Sequence, residues 1–492
     1  MSRTSYSLCL LSLLLFVIAP RPECAARADG PATRRIEQAL RKHSVPDARV
    51  GIAVRRLSDG AEFFTRSPRD LFELASNAKL FTTAVALREL GAEYEFKTAL
   101  IANGPIEDGR LVGDLVVVGG GDPSLSGRFH GGDAMAVPER MARAVREAGI
   151  TETTGDLVLD DRLFDRELRA PGWPADEALW WYAAPVCALS FNDNCLDIRI
   201  TGARRAGAPA IVAVAPDVDF GRVVNRTFTC AARNEEGIAF AREADGTLAI
   251  TGKIRSGIVR AENIAVEQPA LYLGAAVRRA LAQEGVVVRG ATRLVREGEQ
   301  ARPEAREIFA WRSRLADAVA VANRRSQNFY AEQIFKTLGA TKFGVGSFRS
   351  GAKAVRDHLV AAGFPAGTVL PADGCGLSPG NRATPQAVVA LLETMYNSPL
   401  REIYMGSLAA NGDAVGTLRH RLTEPAALRR IHAKTGTIRT RGISALSGYA
   451  KASDGRTYAF AILTNDYPPV RFSAVRAMED AVCRALLGVP DK

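Results

Sequence analysis

At 492 residues, with 47% hydrophobic and 24% charged residues, the chain has the composition of a soluble globular protein long enough for two or three domains. Its formal net charge of +10 would suit an anionic partner, yet the Lys and Arg residues are scattered, with no basic run longer than pairs such as Arg324-Arg325. Without zinc-finger spacing or an aromatic-interleaved basic stripe, nucleic acid is disfavoured and the charge reads as a solvated surface.

In chain order, the first element is a leader. Arg3 precedes an apolar stretch from Leu8 to Ala19, and small residues follow at Ala26 and Ala28. This is the pattern of a secretory signal over residues 1–28, cleaved near Ala26 or Ala28, and it is too short for a membrane span. The expectation is a periplasmic protein with no integral membrane segment after cleavage. Cys9 and Cys24 leave with the signal, and Cys187, Cys195, Cys230, Cys375 and Cys483 remain. An oxidising compartment permits a disulfide, and Cys195 or Cys187 with Cys230 is the expected pair because all three share one segment.

"RRIEQALRKH" then reads as an amphipathic helix, and "ARVGIAVRRLSDGAEFFTRS" as a hairpin around Ser-Asp-Gly. "NAKLFTTAVALRELGA" is a helix stopped at Gly91, with Ser76 at its N-terminus, where serine is also a preferred N-cap. The glycine cluster in "LVVVGGGDPSL" lacks the spacing of a nucleotide loop and reads as a tight turn. A helix ("PERMARAVREAG") and a strand ("TGDLVLDD") follow, and the adjacent Asp160 and Asp161 read as a solvated turn. Residues 185–265 are strand-rich. "PALYLGAAVRRALAQEG", a helix-turn-helix through "RLADAVAVANRRSQNFYAEQIFKTLG" and "QAVVALLETMYN" restore helices, and three strands ending in "RTYAFAILTND" close the chain. Strands and helices at both ends around a different middle indicate one α/β (α+β) domain interrupted by an insertion.

Three short motifs carry the chemistry. Ser76-x-x-Lys79 lies at a helix start, Ser326-Gln327-Asn328 at a helix-helix turn, and Lys434-Thr435-Gly436-Thr437 on a late strand. Each is weak alone: Ser350 to Lys353 repeats the first pattern and Ser190 to Asn192 the second, both in the wrong context. A serine that attacks a carbonyl must lose its proton to a base within reach, and Lys79 projects from the same helical face one turn on. Lys79 must be partly neutral to do so; burial and a positive neighbour, Lys434, would depress its pKa. Ser326 can relay a proton to the leaving amine, and Asn328 can hold Lys79 and the substrate amide. Lys434, Thr435 and Thr437 line an edge for a peptide C-terminal carboxylate, and the N–H groups of Ser76 and Thr437 suit an oxyanion hole. The five histidines (His43, His130, His358, His420, His432) fit no metal spacing, so neither metal nor cofactor is expected.

The order of the trio is that of serine β-lactamases and penicillin-binding proteins. With "ASNAKLFTTAVAL", "LVVVGGGDPSL", "APGWP", "YAAPVCALSFNDN", "NRRSQNFYAEQIFKTLG", "DGCGLSPGN" and "HAKTGT", the chain resembles the penicillin-sensitive D-alanyl-D-alanine carboxypeptidase/endopeptidase group of low-molecular-mass penicillin-binding proteins with a large insertion. The resemblance implies a transpeptidase-like antiparallel sheet flanked by helices over 29–95 and 295–492. It is split by an inserted domain (96–184 and 266–294) that itself holds a small β-rich domain (185–265). It implies Ser76 as acylated nucleophile, Lys79 as base, Ser326, Asn328 and Lys434 as proton network and substrate grip, and Thr435, Gly436 and Thr437 as substrate-binding. Asp160 and Phe164 match positions that contact the diamino-acid side chain in relatives. Cys375 stands for the usual serine, Pro379 for an arginine that Arg382 would replace, and Ile438 where some relatives have methionine. Peptidoglycan stem peptides are the implied substrate and β-lactams the implied covalent inhibitors. The alternatives are a β-lactamase or esterase of the same superfamily and a non-catalytic cell-wall-binding module.

Overall fold

Largely apolar runs near both ends of the chain, buried on both faces, build the central layer. In a computed structural model that describes residues 30–491, these segments are β1 (Arg49–Arg56), β2 (Glu62–Arg66), β3 (Ala409–Ala410), β4 (Ile431–Ile438), β5 (Ile443–Lys451) and β6 (Thr457–Asn465). They form one antiparallel sheet in the order β2-β1-β6-β5-β4-β3. The expected leader, with Cys9 and Cys24, lies outside the described residues. Because side chains alternate across a strand, Ala53, Ala445, Tyr449, Ala461 and Leu463 face one core. Val50, Ile52, Leu446, Phe460 and Ile462 face another. Helices α1 (Pro31–Lys42) and α6 (Phe472–Leu487) cover the second face. The first is covered by α2 (Ala78–Glu89), α3 (Leu315–Arg324), α4 (Asn328–Phe343) and α5 (Pro385–Tyr396).

α2 is the helix on which the site depends. Every residue from Ala78 to Leu87 is buried, so it is enclosed on all sides rather than amphipathic. That forces Lys79 into the interior. Leu90 closes the helix and Gly91 follows at φ 87°, as the stop signal required.

After α2 the chain enters a second core. Glu95–Asn103 and Arg306–Arg314 pair antiparallel, where the chain leaves the first domain and where it returns. They belong to a five-stranded sheet with Asp114–Val118, Leu157–Asp160 and Thr292–Leu294. Arg306–Arg314 is an edge strand of that sheet. Helices Ala136–Glu147 and Pro269–Gln283 pack on that sheet. The strand-rich segment forms two three-stranded sheets, one around Cys195–Thr201 and one around Leu248–Arg255.

The disulfide expectation fails. Cys187, Cys195, Cys230, Cys375 and Cys483 are all free and buried. Cys195 opens a strand of one small sheet and Cys230 ends a strand of the other, so sharing a segment did not bring them together. No helix among the described residues is long and apolar enough to cross a membrane.

Arg421 clamps the loop after β3 onto α6. Its guanidinium is buried and donates to Glu479 at 2.9 Å and Asp480 at 2.7 Å, while Ser444 Oγ donates to Glu479 at 2.6 Å. Arg421→Ala would strand the buried Glu479 charge. It is expected to lose about 3–5 kcal/mol of stability, read as a lowered denaturation midpoint in urea.

Candidate active site

A single 3₁₀ turn, Ala75–Asn77, leads into α2. Ala75 holds φ 43°, a left-handed conformation that a residue with a Cβ adopts only under constraint. Ser76 does not cap the helix. The N-cap is Asn77, which makes no side-chain cap bond, and Ser76 Oγ instead accepts from Lys79 Nζ at 2.9 Å. The nucleophile reading and the N-cap reading are thus separated by one residue.

Lys79 Nζ has three acceptors: Ser76 Oγ, Asn328 Oδ1 at 2.7 Å and the carbonyl of Cys375 at 2.9 Å. Burial pushes its pKa below the ordinary lysine range, while Cys375, Glu332 and Asp373 act in the opposite sense. Lys434 Nζ donates to Ser326 Oγ and to the Thr435 carbonyl, both at 2.8 Å. Burial, followed by the charge of Lys79, holds Lys434 well below its usual range. The expectation that Lys434 depresses Lys79 is corrected here: burial does that work, and the like-charge effect falls on Lys434.

The five residues expected to be catalytic therefore form a trio, Ser76, Lys79 and Asn328, and a pair, Ser326 and Lys434. Ser326, at φ 59° between α3 and α4, is a second strained residue. Asn328 opens α4, and its Nδ2 donates to the Tyr182 carbonyl of the insertion at 2.7 Å. The amide expected to hold substrate thus already has the Tyr182 carbonyl as an acceptor.

β4 presses against the Ser76 turn because Gly436 has no side chain. A Cβ there would lie 2.7 Å from the Leu74 carbonyl and 3.1 Å from Ser76 N. Gly436→Ala is expected to displace the turn and cut the acylation rate about a hundredfold, with the thermal midpoint retained; stopped-flow acylation by a labelled penicillin measures it. β3 pairs only with His432 and Ala433, so the outer edge of β4 is open from Lys434 onward. A cavity of 420 Å³ borders this edge, lined by Thr435, Gly436 and Thr437 with Arg419 and Arg476.

Other expected positions lie apart. Asp160 is paired with Arg162 at 2.6 Å. Phe164 is 2% exposed, with Lys336 Nζ over its ring at 5.9 Å. Neither shares a hydrogen bond or ion pair with the Ser76 cluster. Arg382 is held near Glu73 at 3.8 Å. The decoy Ser350 is half of a capping box with Ser347, and Ser190 bonds the Cys187 carbonyl.

Sequence reasoning missed Glu332 and Asp373. Glu332 is fully buried on α4 and accepts from Gly374 N at 2.8 Å and Cys375 N at 2.7 Å. Asp373 accepts from Cys375, Gly376 and Ser378 N, Asn381 Nδ2 and Trp173 Nε1. The signal was present: an acid inside the apolar run "FYAEQIF" has to be partnered. Glu332, Asp373 and Cys375 lie close enough to hold a metal ion. Their carboxylate oxygens, however, already serve backbone N–H groups, an arrangement built to shape a loop.

The model of the D-Ala-D-Ala carboxypeptidase 3 (S13) family matches residues 32–486. The D-alanyl-D-alanine carboxypeptidase of Actinomadura sp. (strain R39) is 30% identical over 461 residues, 91% of this chain and 82% of that protein. The D-alanyl-D-alanine carboxypeptidase DacB of Haemophilus influenzae is 26% identical, covering 80% of each. The crystal structure of penicillin binding protein 4 (dacB) from Haemophilus influenzae superposes with a TM-score of 0.79 at 22% identity, over 92% of this chain and 99% of that one.

Proposed function

The chain belongs to the D-Ala-D-Ala carboxypeptidase 3 (S13) family, and from that membership we propose that it hydrolyses D-alanyl peptides of peptidoglycan through an acyl-Ser76 intermediate. The single observation that carries the reading is the 2.9 Å contact from the buried Lys79 Nζ to the half-buried Ser76 Oγ. Ser76 Oγ attacks the carbonyl of the penultimate D-alanine and its proton passes to neutral Lys79. The N–H groups of Ser76 and Thr437 hold the resulting oxyanion. Ser326, hydrogen-bonded to Lys434, relays to the leaving nitrogen the proton that Lys79 took from Ser76, so that Ser326 stays a hydroxyl and Lys79 becomes neutral again; the C–N bond breaks and the D-amino acid departs. Water then attacks the ester with Lys79 as base and restores Ser76. A β-lactam follows the first half of this path, but its leaving nitrogen stays tethered.

The open edge of β4 supports binding of the substrate as an added strand, with its carboxylate toward Thr435 and Thr437. The leader pattern of residues 1–28 supports a periplasmic site of action. Asp160 and Phe164 enter this reading only through the resemblance of their positions. Digestion of purified muropeptides by the mature protein, with products identified by mass, tests it. Free D-alanine from pentapeptides marks a carboxypeptidase, and monomers from cross-linked dimers mark an endopeptidase. Neither product would refute the reading.

A further inference from the structure

One residue, Cys375, joins the base to a pair of buried acids through its two backbone groups. The carbonyl of Cys375 accepts from Lys79 Nζ at 2.9 Å. The amide N–H of the same residue donates to Glu332 Oε1 at 2.7 Å and more weakly to Asp373 Oδ1 at 3.1 Å. The second oxygen of Glu332 takes Gly374 N, whose carbonyl in turn accepts from Thr82 Oγ1 of α2 at 2.8 Å. Residues 374 and 375 are thus gripped from α4 on one side and present carbonyls to α2 on the other. Gly376 leaves the loop no slack: a Cβ there would sit 1.8 Å from the Ala75 carbonyl, next to the nucleophile.

We propose that Glu332 is a positioning residue for Lys79, holding the Gly374–Cys375 backbone so that the Cys375 carbonyl aims the Lys79 amine at Ser76 Oγ. Asp373 cannot replace it, because its oxygens are spent on the turn that follows and on Trp173 and Asn381. The proposal rests on the reading of Lys79 as base.

Glu332 suits the task electrostatically. The groups that face it are Asp373 and Cys375 from the loop and Lys79 from α2, with Lys434 of β4 beyond Lys79. On its own helix, Lys336 is committed to Asp165 and the Glu167 carbonyl. Burial and then Asp373 push the Glu332 carboxyl up to about 8. Near neutrality it therefore holds its proton for much of the time, which weakens the negative charge by which Glu332 raises the Lys79 pKa. A neutral group that accepts from Cys375 N should serve in part.

The test is the acylation of the mature protein by benzylpenicillin, resolved into a dissociation constant for the first complex and a rate constant for acylation. Glu332→Ala is expected to lower the rate constant about a hundredfold and leave the dissociation constant within about twofold. Glu332→Gln keeps an acceptor for Cys375 N but turns its NH2 toward Gly374 N, so it is expected to recover part of the rate and to acylate clearly faster than Glu332→Ala. A Glu332→Ala variant that acylates at the wild-type rate overturns the proposal. So does one whose binding and rate fall together with its thermal midpoint, since that is a loop held for stability alone. A Glu332→Gln variant as slow as Glu332→Ala also overturns it. If Glu332→Ala does not accumulate folded, Glu332→Asp carries the same test, because the shorter side chain withdraws from both N–H groups and should lose the rate alone. Failure of the underlying reading looks different: the wild-type protein would then form no adduct at Ser76.

Discussion

Ser76→Ala is expected to lower kcat/KM for D-alanine release from a pentapeptide by about 10⁴-fold or more, without unfolding the protein. The size follows from the loss of the covalent path: without the Ser76 hydroxyl no acyl-enzyme can form. The retained fold follows from what Ser76 does not do. It caps no helix, since Asn77 holds that position, and its Oγ has the Lys79 amine as a hydrogen-bond donor. Alanine also tolerates the 3₁₀ turn, so the stability change should stay within about 0.5 kcal/mol. A release assay beside a thermal melt separates the two quantities. Residual turnover near the wild-type level would mean that another residue is the nucleophile.

Lys79→Ala should cost acylation about 10²–10⁴-fold, the range for loss of a positioned base. It should also cost some stability, because the Asn328 amide oxygen and the Cys375 carbonyl lose their buried donor; about 1–3 kcal/mol is the usual penalty. The pH profile gives a sharper check. Burial lowers the Lys79 pKa, so the neutral amine exists at pH values where an ordinary lysine is still charged. The acylation rate should rise with pH through that lowered pKa, with its acid limb below the usual lysine range of about 10.4. Lys79→Arg keeps a cation in place but never yields a neutral base. It should remain slow across the whole pH range, and a Lys79→Arg protein with a normal profile would remove Lys79 from the base role.

Much of the architecture follows from periodicity. The apolar runs in "ISALSGYAKAS" and "RTYAFAILTND" mark the two central strands, and the Ser76–Lys79 spacing places the two groups on one helical turn. Spacing is informative here because neighbours three apart on a helix must meet. What periodicity cannot reach is contact between distant segments. The Cys375 carbonyl under Lys79, the Tyr182 carbonyl on Asn328 and the grip of Glu332 on residues 374 and 375 all join parts of the chain brought together by the fold. Burial lowers the Lys79 pKa as expected, but the part assigned to Lys434 does not hold, since which of two buried lysines bears the like-charge effect is set by the packed site. The cysteine pairing erred by treating a shared segment as proximity, although that segment folds into two sheets. The left-handed backbone at Ala75 and Ser326 is likewise invisible in residue types that ordinarily avoid it.

The measurement that bears most directly on the central claim is the intact mass of the mature protein after brief exposure to benzylpenicillin, followed by peptide mapping of the adduct. One penicilloyl group on the peptide that contains Ser76, absent from Ser76→Ala, is the predicted result. An unmodified protein, or an adduct that persists in Ser76→Ala, would contradict it.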